Sequence, residues 1–309
     1  MSPRLFHLGN VVIDLVLRVK DIPVRGGDIL AQDRLLTPGG GFNVMASAVR
    51  QDLATIYGGV LGVGPFASLA KQALLQQGIT IAHAPVANRD TGLVVCLIDA
   101  TGERTFVTSP GAESHLTLDH LQHLSPTFPD IVYISGYSLV YPCNRTALLT
   151  WLDTLSPTVM TVFDPGPLVA EIPRPALQKV LTRSDWVTCN VDEAAFLTGA
   201  SDGLRQAQVL ASLTERHQVL VRAGRDGCYI AGPTTQAQQI PGFAVAAVDT
   251  NGAGDAHSGA FMAALAKGAD ASLAARWANA VAALAATRFG PATAPTTAEV
   301  AAWLGWSPP

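Results

Sequence analysis

Apolar runs of strand length alternate along the chain with stretches whose apolar residues recur at helical spacing. Leu5–Leu17 reads as one strand, and a helix opens at Gly41 and runs through Arg50 to about Leu53. Ile56–Gly62 (strand) and Pro65–Gln77 (helix, stopped by Gly78) follow. Further on come strands over Ile131–Ser135, Val159–Asp164, Trp186–Asn190 and Val219–Arg222. Helices are expected between them, over Thr146–Leu155, Pro175–Leu181, Asp192–Thr198 and Gly203–Arg216. Such alternation predicts an α/β fold: a doubly wound, mostly parallel sheet flanked by helices on both faces. Two segments break the rhythm. Asp28–Pro38 is extended, and Gly92–Ser109 alternates around a turn at Asp99–Gly102, as a β-hairpin does. With no helices between them, these strands are expected to form a small separate β-sheet, a lid over one end of the main sheet. The 309 residues then read as a single domain, its lid built from two discontinuous segments, about 15–38 and 91–112. Ala256–Thr287 reads as two buried helices, and a short helix is expected around Glu299–Leu304.

Composition narrows the class. Hydrophobic residues make up 49% of the chain and charged residues 14%, which excludes a disordered protein. The formal net charge is −4, and only four of the 20 basic residues are lysines. No cationic surface for nucleic acid or an anionic membrane is implied. The apolar region 256–287 is interrupted by Lys267, Asp270 and Arg276, so it is not a membrane span. Residues 1–20 carry Asp14 and Arg18 and no small-residue cleavage site, unlike a secretory signal. Four cysteines without Cys-x-x-Cys spacing suit free thiols in a reducing compartment. A cytoplasmic location is expected. No histidine has metal-ligand spacing, and no Gly-x-Gly-x-x-Gly follows the first strand, which argues against a dinucleotide-dependent oxidoreductase.

The chemistry concentrates in Asp249-Thr-Asn-Gly-Ala-Gly-Asp255, which leads into an apolar helix. A Gly-rich turn entering a helix presents backbone N–H groups without intrahelical partners, and the helix dipole favours an anion there. Asp255 falls in the first turn, where a carboxylate can take a proton from a hydroxyl attacking phosphorus. Asp14 is placed at a strand end, where ligands gather in open α/β sheets. Gly39–Gly41 leads into a helix, and Asn43 offers both a donor and an acceptor to hydroxyls. Asn190 and Glu193 stand three apart at a strand-to-helix junction.

These motifs, in this order, resemble the PfkB/ribokinase family of carbohydrate kinases over nearly the whole chain. Asp249–Asp255 resembles the family's Asp-Thr-x-Gly-Ala-Gly-Asp signature. Gly39-Gly-Gly-Phe-Asn43 resembles its N-terminal sugar motif, and Gly9–Asp14 the segment whose aspartate holds sugar hydroxyls. Asn190-Val-Asp-Glu193 matches the Asn-x-x-Glu motif tied to Mg²⁺ and phosphate. Ala223-Gly-Arg-Asp-Gly227 is similar to the nucleotide-binding stretch. The resemblance implies transfer of the ATP γ-phosphoryl group to a sugar hydroxyl. Asp255 is then the general base and the amides of Gly252, Ala253 and Gly254 an anion hole. Asp14, Gly40, Gly41 and Asn43 would bind the sugar. Asn190, Arg222, Gly224, Gly227 and Asn279 would bind the nucleotide. Glu193 would place Mg²⁺ through water, which suits an ion that keeps several waters. Thr287–Gly290, with the carbonyls of Asp249 and Asn251, resembles a site for a monovalent cation such as K⁺. Departures stand beside these matches. Arg222 replaces the usual Thr, Val12 stands where ribokinases carry a ribose-binding Asn, and Ser135–Ser138 lacks an acid, which disfavours ribose. His257 is expected to be a packed helix residue, and Arg104 a solvated turn residue or a substrate contact from the lid. A nucleoside kinase of the same fold and a non-catalytic sugar- or nucleotide-binding regulator are the alternatives. Tyr137, Phe42 and Tyr141 are the aromatic residues available to a base. Unpaired lid edges suggest a homodimer joined through the lids.

Overall fold

The computed structural model describes residues 2–213 and 218–309. Thirteen strands form two sheets. Nine of them make the large sheet: β1 (Arg4–Leu8), β4 (Ala54–Tyr57), β5 (Thr80–Ile81), β8 (Ile131–Ser135), β9 (Met160–Asp164), β10 (Trp186–Asn190), β11 (Gln218–Arg222), β12 (Cys228–Gly232) and β13 (Thr235–Ile240). Their order is β13-β12-β11-β10-β9-β8-β1-β4-β5. The seven strands from β11 to β5 are parallel, and β12 and β13 turn back antiparallel at one edge. The central strands β8 and β10 are buried on both faces, as parallel strands under helices must be. One apolar core gathers Leu148, Trp151, Val180 and Leu210; a second gathers Phe261, Met262, Trp277 and Val281.

The other four strands are β2 (Val11–Arg18), β3 (Asp33–Gly40), β6 (Leu93–Ile98) and β7 (Arg104–Ser109), in the order β3-β2-β6-β7. This is the small separate sheet. β6 and β7 form the expected hairpin, closed by Asp99 and Glu103.

Several expectations shift. The single strand over Leu5–Leu17 is two strands in two sheets, broken at Gly9–Asn10. Asp14 therefore lies in the middle of a lid strand, paired with Thr37 and Val94, and not at a strand end of the large sheet. The strand after Leu53 stops at Tyr57, before Gly58-Gly59. The helix from Gly203 runs to Ser212 with Leu213 as its C-cap, and residues 214–216 of its expected span lie outside the described residues. The two C-terminal helices span Ala253–Ala266 and Ala271–Ala286, and the last is Thr297–Leu304.

Candidate active site

Two helices start side by side at the centre of the molecule. Gly41–Arg50 follows Gly40 (φ 60°), and Ala253–Ala266 follows Gly252 (φ 73°). Both N-caps lie in the left-handed region that glycine enters at no steric cost. The helices then pack closely. A Cβ on Gly259 would collide with the Val44 carbonyl, and Ser47 Oγ donates to the Ala256 carbonyl at 2.7 Å. As a result their first turns touch: Asn43 Nδ2 donates to Asp255 Oδ2 at 3.0 Å.

Asp255 is the carboxylate at this junction. Burial pushes it up to about 6, with Asp164 adding repulsion; the Asn43 hydrogen bond and Arg222 pull the other way. The dipole of its helix therefore does not hold it low, but it stays ionised at neutral pH, close to the value that suits a base. Across the cleft, burial and then repulsion from Asp255 push Asp14 up to about 7. Gly39 makes room for the Asp14 carboxylate, which a Cβ there would overlap.

The turn before Asp255 is partly self-satisfied. The Ala253 N–H donates to the Thr250 carbonyl at 3.2 Å. The amides of Gly252 and Gly254 are the better donors for an anion.

Beneath that turn lies a buried charge network at the C-terminal ends of β9, β10 and β11. Arg222 Nη1 donates to Asp164 Oδ2 (3.0 Å), Thr188 Oγ1 (2.7 Å) and Ser258 Oγ (3.0 Å), and Nη2 stands 3.7 Å from Glu193 Oε2. Arg222 Nε would be 3.5 Å from a Cβ on Gly254, so the guanidinium lies directly against the anion turn. Asn190 and Glu193 clasp each other as a reciprocal helix cap. Asn190 Oδ1 accepts the Asp192 and Glu193 N–H groups, and Glu193 accepts from the Asn190 N–H (2.8 Å) and Nδ2 (3.0 Å). Glu193 is 5% exposed, and burial, with Asp164 beside it, raises it to about 7.

Three carboxylates (Asp164, Glu193, Asp255) thus face one guanidinium. This surplus of negative charge fits a divalent cation nearby. Among the described residues no three His, Cys, Asp or Glu side chains form a metal cage. A cation here would be held chiefly by phosphate oxygens and water, as Mg²⁺ is in phosphoryl-transfer sites.

Gly224 (φ 57°) faces open space at the tip of β11, while Gly227 packs against the Ile240 carbonyl. Asn279 is buried, with its amide engaged by His257 Nε2 (3.0 Å) and by the carbonyls of Ile240 and Pro241 (3.0 and 3.1 Å). His257 is the packed residue it was expected to be. Asp249 and Asn251 open the turn, and Asp249 binds Arg104 of the lid at 2.6 Å. Arg104 is therefore not a solvated turn residue. The structure brings together Asp255, Asn43, Asp14, Gly252, Gly254 and Arg222; it leaves Asn279 and Gly227 as packing residues.

Asp164, Thr188 and Ser258 were missed. Asp164 ends a predicted strand of the large sheet, and the rule that ligands gather at such ends would have found it. Nothing local marks the other two.

The family comparison agrees. A model of the pfkB family of carbohydrate kinases matches residues 2–298. The chain belongs to that family, and it is a phosphotransferase with an alcohol acceptor. It is 29% identical to an uncharacterised sugar kinase, YegV, of Escherichia coli K12, over 95% of this chain and 91% of the relative. It is 26% identical to a ribokinase of Haemophilus influenzae, covering 98% and 99%. A crystal structure of Vibrio cholerae fructokinase with fructose, ADP and calcium bound superposes with a TM-score of 0.80 at 26% identity, over 98% of this chain and all of that one.

Proposed function

We propose that this chain transfers the γ-phosphoryl group of ATP to a hydroxyl of a sugar. One observation carries the reading: the Asp255–Asn43 pair where two helix N-termini meet, with Asp14 facing it from the lid. Asp14 and Asn43 orient the sugar, helped by the bare backbone of Gly40 and Gly41. Asp255 takes the proton of the attacking hydroxyl. The amides of Gly252 and Gly254 meet the charge on the transferring phosphoryl group, with Ala253 completing the turn and Arg222 reinforcing it from below. Gly224 leaves space for the nucleotide at the tip of β11. Asn190 and Glu193 would place Mg²⁺ through water, and the ion would supply neutralisation of the phosphate charge. Positioning and electrostatics supply most of the catalysis.

A sugar is favoured over a nucleoside by one detail. Phe42 is packed into the core with Val11 and Tyr57, which removes it from the residues able to stack on a base. Tyr137 and Tyr141 remain, half-buried.

We read the molecule as one domain with lid segments at about 15–38 and 91–112, working as a cytoplasmic homodimer. Leu36 and Val107, on the lid face away from Asp14, are 46% and 64% exposed, and β3 and β7 are free edges. No helix among the described residues is long and apolar enough to cross a membrane. The test is ADP release with Mg-ATP across hexoses, pentoses and nucleosides. Turnover with a sugar supports the reading. Turnover confined to nucleosides replaces the acceptor, and silence across all three classes overturns it in favour of a binding protein.

A further inference from the structure

Asp249 is the first residue of the anion turn, and its side chain is 11% exposed. Its Oδ1 accepts the N–H of Asn251, two residues into the turn, at 2.9 Å. Its Oδ2 accepts the N–H of Gly290 at 3.2 Å. One carboxylate thus ties the opening of the turn to the 287–290 loop. The N–H groups of Val248 and Asp249 strengthen the tie by donating to the Ala286 carbonyl at 2.8 and 3.1 Å.

A carboxylate this far from water needs a positive partner, or the knot it makes is strained by an uncompensated charge. Among the described residues the body does not supply that partner; the lid does. Arg104 Nη2 lies 2.6 Å from Asp249 Oδ1. Arg104 opens β7 and pairs in register with Ile98 of β6, which pairs with Arg18 of β2. Arg18 shares that row, and its guanidinium stands 5.1 Å over the ring of Phe289, in the same loop that Asp249 ties down. Two lid arginines therefore end on the two halves of one knot. Their sheet also carries Asp14, on β2, so the proposed sugar contact and both arginines belong to the same four-stranded sheet.

We infer that Arg104 is a positioning residue: closing onto Asp249, it supplies the charge that sets the 249–255 turn for a phosphoryl group, so the anion site is complete only under a closed lid. The inference rests on the proposed kinase reading and adds its regulation. The sugar favours the closed lid through Asp14, the closed lid brings Arg104 to Asp249, and the turn amides are then fixed. With the lid open the turn lacks its countercharge, and ATP in the site is a poorer donor to water. The ligand's differential affinity for the closed state is what drives the coupling. The positive charge at this loop is then a side chain of the lid, where the resemblance implied a monovalent cation.

The experiment compares the full-length chain with Arg104→Met, Arg104→Lys, Asp249→Asn and the double variant Arg104→Met/Asp249→Asn, each checked for folding by circular dichroism. In sugar-dependent turnover, Arg104→Met is expected to lower kcat about 10–100-fold, the size of a lost charged hydrogen bond, with sugar KM much less affected. Arg104→Lys recovers most of the loss. Added guanidinium or K⁺ raises the rate of Arg104→Met and leaves the parent unchanged. In calorimetric titration with Mg-ADP, each single variant weakens binding, and the double variant is no weaker than the worse single one. Two outcomes overturn the inference: Arg104→Met within twofold of the parent in both kcat and Mg-ADP affinity, or losses that simply add in the double variant. If no sugar is turned over even by the parent, the kinase reading fails, while the Mg-ADP cycle still decides whether Arg104 shapes the turn.

Discussion

The body and the lid hold their charges in opposite ways. In the body, Arg222 is surrounded by Asp164, Thr188, Ser258 and Glu193, all contributed by the large sheet and its helices. All of these partners belong to the body itself. In the lid, Asp14 faces the cleft without a positive partner among the described residues, and Arg104 finds its partner only across the cleft. On the proposed reading, the body offers the phosphoryl group an electrostatic platform built from its own residues. The lid presents charges that are satisfied only when the cleft is shut or filled. This division suits a two-substrate transfer in which water must be kept from the phosphorus until the acceptor arrives.

The largest expected effects lie in the body. Asp255→Asn keeps the shape of the junction but removes the base, so kcat falls about 10²–10⁴-fold while KM changes little. Steady-state kinetics with the best sugar checks this, and near-normal kcat would take Asp255 out of the chemistry. Next comes Arg222→Met, which leaves Asp164 and Glu193 buried without their cation. A loss of about 3–5 kcal/mol of stability follows, read from urea unfolding. If Arg104→Met destabilised the fold as much, the contrast between a pre-set body and a conditional lid would break.

A subtler effect follows from Asn43. Its N–H favours the ionised form of Asp255, which burial has already raised to about 6. Activity should therefore fall as pH drops through that region, because the base is protonated. Asn43→Ala removes the hydrogen bond, so Asp255 keeps its proton to higher pH, and the acid limb of the kcat profile moves upward. A profile that did not move would show that another group sets the limb.

How much of this was legible beforehand divides along the same line. The alternation of strands and helices, the lid hairpin and the helix-opening turn at 249–255 are local patterns, and the sequence displays local patterns directly. Asn43 and Asp255 were each recognisable from their own motif, although the bond between them, 212 residues apart, was not. Of the Arg222 network, Arg222 and Glu193 were each legible from a motif and Asp164 from its strand end, but not that they meet. Its members come from positions 164, 188, 193, 222 and 258, and only the sheet order β9-β10-β11 makes them neighbours. Arg222 looked like a phosphate ligand because an isolated arginine in a nucleotide loop carries no sign of the carboxylates that already hold it. Asp14 was expected at a strand end of the large sheet but lies within a lid strand, because the apolar run Leu5–Leu17 conceals the break at Gly9–Asn10.

The smallest effect tests the lid half of the contrast most directly. Asp14 is ionised at pH 8 in the unfolded chain at little cost, but in the folded lid burial and Asp255 raise it to about 7. A carboxyl with a raised folded value stabilises the fold below its unfolded value, and that contribution is lost as pH rises through about 7. At pH 8 the ionised Asp14 therefore weighs against the closed structure, and Asp14→Asn should relieve it. A rise in Tm of about 2–4 °C at pH 8 corresponds to a gain of about 1 kcal/mol for a protein of this size class. The gain should shrink as the pH is lowered from 8 toward 4, where the native carboxyl is protonated. The same variant should raise sugar KM about 10–100-fold, the range for losing a charged acceptor. A more stable variant that binds its acceptor worse is the signature of a charge kept for function. If Asp14→Asn lowered Tm at pH 8, Asp14 would be a structural anchor of the lid, and the lid would be as pre-set as the body.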